Sequence, residues 1–145
     1  MKRAVALAAV LATFLVGCQT APWGPMTVID EDMRVVLASG GFPGTLRIGD
    51  RCVTILLDDG GREITLVFRN GQTSWDAITR QIVFSDTRAG VLRLSDGDRI
   101  APGGAGIAEP EDLDQGVPQP RWISPPNPSC PTDLFAVHSV VKLED

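Results

Sequence analysis

Between residues 44 and 100, apolar and polar positions alternate in short runs, and turn residues interrupt the runs at close intervals. This spacing predicts an antiparallel β meander. Leu46 and Ile48 mark a first strand, ended by Gly49-Asp50. Cys52 to Leu57 is a second, and Asp58-Asp59-Gly60-Gly61 is the turn that follows it. The chain returns from Ile64 to Phe68 with Ile64, Leu66 and Phe68 on one face, then turns again at Asn70-Gly71. Thr73 and Asp76 have capping-box spacing, which predicts a single helical turn carrying Trp75. Ile82 to Phe84 is a fourth strand, and Val91 to Leu94 a fifth with Leu92 and Leu94 inward.

From Ala101 to Pro131 the pattern changes. Gly103, Gly104 and Gly106 are followed by a cluster of acidic residues and then by six prolines. Such a stretch predicts a long surface loop rather than a central strand, and its 103–128 portion is a candidate contact surface. The last element is Leu134 to Leu143. It places Phe135, Val137, Val141 and Leu143 on one face and His138 and Lys142 on the other. Thr27 to Ser39 reads equally as helix or strand.

The sum is a mainly β fold: a small, partly open antiparallel barrel of the OB type with a long Gly/Pro-rich loop. A small β-sandwich is the alternative. The predicted core is Leu46, Ile48, Ile55, Leu66, Phe68, Phe84, Leu92 and Val137. Gly97-Asp98-Arg99-Ile100 echoes Gly49-Asp50-Arg51-Cys52, which reads as one kind of strand-ending turn used twice rather than as a duplication.

The N-terminus has a different pattern. Met1-Lys2-Arg3 is positive, and Ala4 to Val16 carries no charge before Gly17-Cys18. An apolar run of about 13 residues is too short to span a bilayer as a helix and has the length of a secretory signal. A buried core helix starting at residue 4 is the competing reading, and it leaves the positive start unexplained. Leu15-Val16-Gly17-Cys18 resembles the lipobox of bacterial lipoprotein signal peptides. That resemblance implies cleavage before Cys18, a diacylglyceryl thioether on its sulfur, and further acylation by a palmitate-type chain on the new amino group. Two or more acyl chains hold a protein stably on a membrane. Gln19 follows the cysteine where inner-membrane lipoproteins tend to carry Asp, which favours the outer membrane, facing the periplasm, in a Gram-negative envelope. The expected organisation is a signal peptide over 1–17, a lipidated Cys18 and tether over 18–26, and one β-rich domain over 27–145. The body's Gly-x-Leu, Cys-Val, Trp75, Gly-Asp and paired-Gly elements with a late Cys are similar to uncharacterised small bacterial lipoproteins with OB-like domains. That similarity covers residues 44–106 and 130–143 and implies a fold but no activity.

Composition supports the β assignment. Among 145 residues there are 15 Gly and 11 Pro, with five Phe, three Trp and no Tyr. Three cysteines are present, and assigning Cys18 to the lipid leaves Cys52 and Cys130. An even remainder in an exported domain predicts one disulfide. The net charge of −5 becomes more negative once Lys2 and Arg3 leave with the leader. The remaining basic groups are scattered singly, so nucleic acid is not an expected partner.

Candidate chemistry is sparse. His138 is the one histidine, and its strand phase points it outward, away from any Ser–His–Asp arrangement. Pro102-Gly103-Gly104-Ala105-Gly106 lacks the Lys-Ser or Lys-Thr of a phosphate loop. Glu109, Glu111, Asp112 and Asp114 lack EF-hand spacing, and Cys52, Cys130 and His138 lack metal-ligand spacing. Asp58-Asp59 sits in a turn rather than a cleft. Neither a metal nor a cofactor is expected. Trp75 and Trp122 are candidate partner contacts because Trp is enriched at binding hot spots, although packing against the body is the simpler role for each. The sequence therefore predicts a membrane-anchored envelope lipoprotein acting without catalysis, as a binding or structural module for an envelope protein or glycan. Inhibition of a periplasmic or foreign hydrolase is the alternative.

Overall fold

The period-2 runs fold as strands, and they close on one another. A computed structural model describes residues 22–30, 41–86, 89–107 and 120–144, and among these it contains strands and no helix. In chain order the strands are β1 (Thr27–Ile29), β2 (Gly44–Ile48), β3 (Val53–Leu57), β4 (Glu63–Arg69), β5 (Thr73–Asp76), β6 (Gln81–Asp86), β7 (Gly90–Leu94), β8 (Arg99–Gly106), β9 (Trp122–Ser124) and β10 (Leu134–Lys142).

β2, β3 and β4 form an antiparallel meander. β8 returns antiparallel to β2, and β10 runs antiparallel along β8 and parallel to β4. Five strands therefore form a ring. Two of its seams are short. β8 meets β2 only through Thr45–Arg99 and Gly44–Ile100, and β10 meets β4 over three residue pairs. This is a partly open arrangement, as expected, but the sheet is mixed rather than wholly antiparallel, because β1 also runs parallel to β4. The alternation of a sequence reports which face a residue takes, not the direction of the neighbouring strand.

The ring interior holds Leu46, Ile48, Ile55, Leu66, Phe68 and Val137, all buried as predicted. Phe84 joins them, and Leu92 packs against the cluster while half-buried. Each fully buried aromatic or aliphatic side chain contributes roughly 1.5–3 kcal/mol relative to exposure. The outer face of β4 is buried as well, at Thr65 and Val67. Val67 is flanked by Thr27 of β1 on one edge and Ala136 of β10 on the other. Ile29, Val67 and Ala136 form a second small cluster, covered by Ile107, Trp122 and Leu134.

Four expectations are corrected. Thr73–Asp76 is not a helical turn but strand β5, which pairs with β6, and β6 with β7, in a separate three-stranded sheet. The capping signal was real in part: Asp76 Oδ1 accepts the N–H groups of Ile78 (3.0 Å) and Thr79 (3.1 Å), but it ends a strand rather than starting a helix. That sheet inserts Ile82, Phe84 and Leu94 into the main core.

The Gly-rich start of the 101–131 stretch is not loop. It lies in β8, paired with β10 from Ile100 to Gly106. A Cβ on Gly104 would stand 1.9 Å from the Ala136 carbonyl oxygen, and one on Gly103 2.5 Å from Ser139 Oγ. These glycines are required by close strand contact, not by flexibility. Pro102 is tolerated because β8 has no partner on the β2 side beyond Ile100.

The final strand does not keep one phase. Its register with β8 shifts between Val137 and Ser139, so Val140 turns inward and Val141 is exposed. His138 lies at that shift and is exposed. The expected tether is shorter than its 18–26 span, because Met26 is 2% exposed in the core and Trp23 packs against it. Thr27–Ile29 of the ambiguous 27–39 segment is strand, and residues 31–40 lie outside the described residues.

Candidate functional site

The disulfide borders a concavity on the outer face of β2 to β4. Cys52 and Cys130 are bonded, 78 residues apart in sequence. The bond lays the 127–133 segment over the outer face of β3 and β4. Two further contacts hold it there: Thr65 Oγ1 donates to the Pro131 carbonyl (2.7 Å), and Arg62 pairs with Asp133 (3.0 Å). Across from this segment stands the turn before β8. Its Gly97 N–H donates to the Leu46 carbonyl (2.8 Å), and Asp96 Oδ1 accepts the Ile48 N–H (2.8 Å). Gly97 has φ +86°, which suits glycine at this turn.

Between the two walls lies a groove of about 660 Å³. Arg47, Thr54, Glu63, Asp96, Ser129 and Pro131 line it, with the Cys52 end of the disulfide at its base. Arg47 and Thr54 are cross-strand neighbours, and the buried Thr54 hydroxyl donates to Glu63. That bond orients the Glu63 carboxylate, which is otherwise exposed. The groove thus offers one guanidinium, two carboxylates and hydroxyls on a rigid sheet. Such a set suits hydrogen-bonded recognition of a polar chain, peptide or glycan. Among the described residues, no group of three His, Cys, Asp or Glu is placed to hold a metal.

A second cleft, about 360 Å³, lies at the adjoining end of the ring. Gly24, Pro25, Asp50, Arg51, Pro125 and Pro128 line it. Beside it, Gly24 lies against the Trp75 indole so closely that a Cβ there would sit 2.4 Å from Nε1. Arg80, in the β5–β6 turn, pairs with Asp50 in the β2–β3 turn at 3.1 Å.

The sequence-derived candidates are therefore separated. Trp75 is half-buried against the main core, and Trp122 is half-buried on β9 in the second cluster. Neither lines the groove. Asp58-Asp59 occupies the exposed β3–β4 turn. Glu109, Glu111, Asp112 and Asp114 lie outside the described residues, as does Cys18. Of the 103–128 candidate surface, 103–106 belongs to β8 and 122–124 to β9, while 108–119 lies outside the described residues.

Sequence reading missed Arg47, Thr54, Glu63 and Asp96. A signal was present. Once Cys52 is paired with Cys130, residues flanking Cys130 must overlie β3, so the outward positions of β2 and β3 become groove positions. Compared with known proteins, the chain matches no family model, no curated protein and no solved structure.

Proposed function

We propose that this chain is a lipid-anchored envelope lipoprotein whose β domain is a non-catalytic binding module, with the groove around Arg47 and Glu63 as its recognition surface. The observation that carries the reading is how the three sulfurs divide. Cys52 and Cys130 are joined, which suits an oxidising compartment, and the cysteine left over is the one in the lipobox-like string. An acidic chain gains little from anionic headgroups, so a covalent lipid on Cys18 supplies the membrane attachment instead. The groove is framed by the Cys52–Cys130 bond and carries charged and hydroxyl groups among apolar wall atoms, so it presents a preformed surface to a protein or glycan partner.

The test combines two variants in the native host. Cys18→Ala abolishes incorporation of labelled palmitate and leaves the protein out of the membrane fraction. Arg47→Glu leaves lipidation intact and reduces in-cell crosslinking to the envelope partner. Labelled, membrane-bound Cys18→Ala protein would remove the anchor, and undiminished crosslinking by Arg47→Glu would remove the groove.

A further inference from the structure

The ring has two ends, and the chain enters at only one of them. Met26 is buried in the core and Gly24 is seated on Trp75, so the body holds the chain from that point on. Cys18 precedes Pro22 by four residues, which reach at most about 14 Å when fully extended. A ring strand of five to seven residues is itself about 20 Å long. A lipid on Cys18 therefore brings this end of the ring to the bilayer and leaves the β3–β4 turn at the opposite end of β3 facing away.

Of the exposed large apolar side chains among the described residues, which include Val91, Ile123 and Val141, the one most exposed is at the near end. Ile78, at the tip of the β5–β6 turn, is 96% exposed. The turn is not loose. Asp76 accepts two of its N–H groups, Arg80 takes a left-handed φ of 53°, and the Arg80–Asp50 pair ties it to the β2–β3 turn. An aliphatic side chain held rigidly in water is unfavourable there and favourable in the headgroup–acyl boundary. Trp23, half-buried on the same N-terminal segment, and the exposed Arg51 suit that boundary too.

We infer that this end of the ring docks on the lipid surface, with Ile78 inserted into the interface. The inference rests on the proposed acylation of Cys18. Docking is apolar rather than electrostatic, since Asp50 and Asp76 are each paired with an arginine and the whole chain is acidic. It also fixes the groove, whose Gly49 and Cys52 adjoin the docked end, on the flank of the domain close to the membrane.

The experiment uses the mature lipidated protein in phosphatidylcholine vesicles. Ile78→Trp and Asp59→Trp place a reporter at the near and the far end, and the emission of the three native tryptophans is subtracted. The added emission at position 78 shifts to the blue and loses most of its intensity with brominated phosphatidylcholine, and the signal persists at high salt. The emission added at position 59 is unchanged. Equal quenching at both positions, or none at 78 in protein that floats with the vesicles, overturns docking while leaving the anchor intact. A blue shift at 78 that needs no vesicles and grows with protein concentration overturns it in favour of a second copy of the chain. Protein that fails to float and whose Cys18 peptide has no added lipid mass removes both the anchor and the docking.

Discussion

The two ends of the five-strand ring are built on opposite principles. At the near end, the β2–β3 turn is tied to the β5–β6 turn by Arg80–Asp50 and to the 127–133 segment by the disulfide, and Gly24 of the N-terminal segment is seated on Trp75 of β5. At the far end, the Asp58–Gly61 turn projects into solvent, and its glycines have open space around them. Surface ion pairs from Arg99 to Asp58 and from Arg62 to Asp133 are the ties there. Exposed pairs of this kind contribute little, Arg80–Asp50 at the near end included, so the near end differs by its disulfide and by the Gly24–Trp75 contact. The difference shows where the fold concentrates its constraints: beside the groove and at the end where the chain enters.

Perturbing each end in turn measures that difference. The largest effect belongs to the disulfide. The double variant Cys52→Ser and Cys130→Ser frees a loop of 78 residues and loses about 4–5 kcal/mol on the chain-entropy account, read by urea denaturation against the oxidised parent. Next is a matched pair of glycine variants. Gly24→Ala meets both a left-handed φ of 52° and the Trp75 ring, and costs about 2–3 kcal/mol. Gly61→Ala meets a φ of 77° in open space and costs about 1 kcal/mol. If the two glycine variants are equal by thermal unfolding, the near end is no more tightly built than the far one.

A smaller effect comes from Asp76. Hydrogen bonds from Thr79, together with those from Arg93 and Ile78, hold its carboxyl below the ordinary aspartate value of 3.8. A depressed carboxylate contributes stability that is complete above that value and is lost as pH falls through the folded-state pKa. Acid titration of stability should therefore show a decline below about pH 4 that Asp76→Asn flattens. The smallest effect is Arg62→Ala at the far end, a loss of less than about 1 kcal/mol by the same denaturation measurement.

Much of the ring was legible because its strands keep the period of two and the turns between them carry glycine or aspartate. Leu46 and Ile48 flank the outward Arg47, and Ile64, Leu66 and Phe68 keep one face even though β4 is buried on both. The disulfide followed from the even pair of cysteines left once the lipobox-like string took Cys18. What was not legible depended on neighbours far away in sequence. Pro102, Gly103 and Gly104 read as loop, yet all three lie in β8 beside β10, where a Cβ on Gly104 would meet the Ala136 carbonyl and one on Gly103 the Ser139 side chain. Thr73 and Asp76 offered the same local hydrogen-bonding groups to a helix start and to a strand end, and pairing with β6 decided between them. Val141 was placed inward because one extra residue in β10 breaks the alternation without any mark in the sequence. The groove was hidden for a related reason. Arg47 and Glu63 are ordinary exposed residues of a sheet until the 127–133 segment is laid beside them.

The dual pairing of β10 governs when the fold can exist. Leu134–Lys142 supplies a neighbour to β8 and to β4 at once, so the ring has a gap until this last strand arrives. The sulfur partner of Cys52 sits just ahead of it. Until those residues are free to pair, the chain can neither close the ring nor form the disulfide. A chain cut before residue 134 would leave the apolar lining of the ring open between β4 and β8, where a protease can reach it.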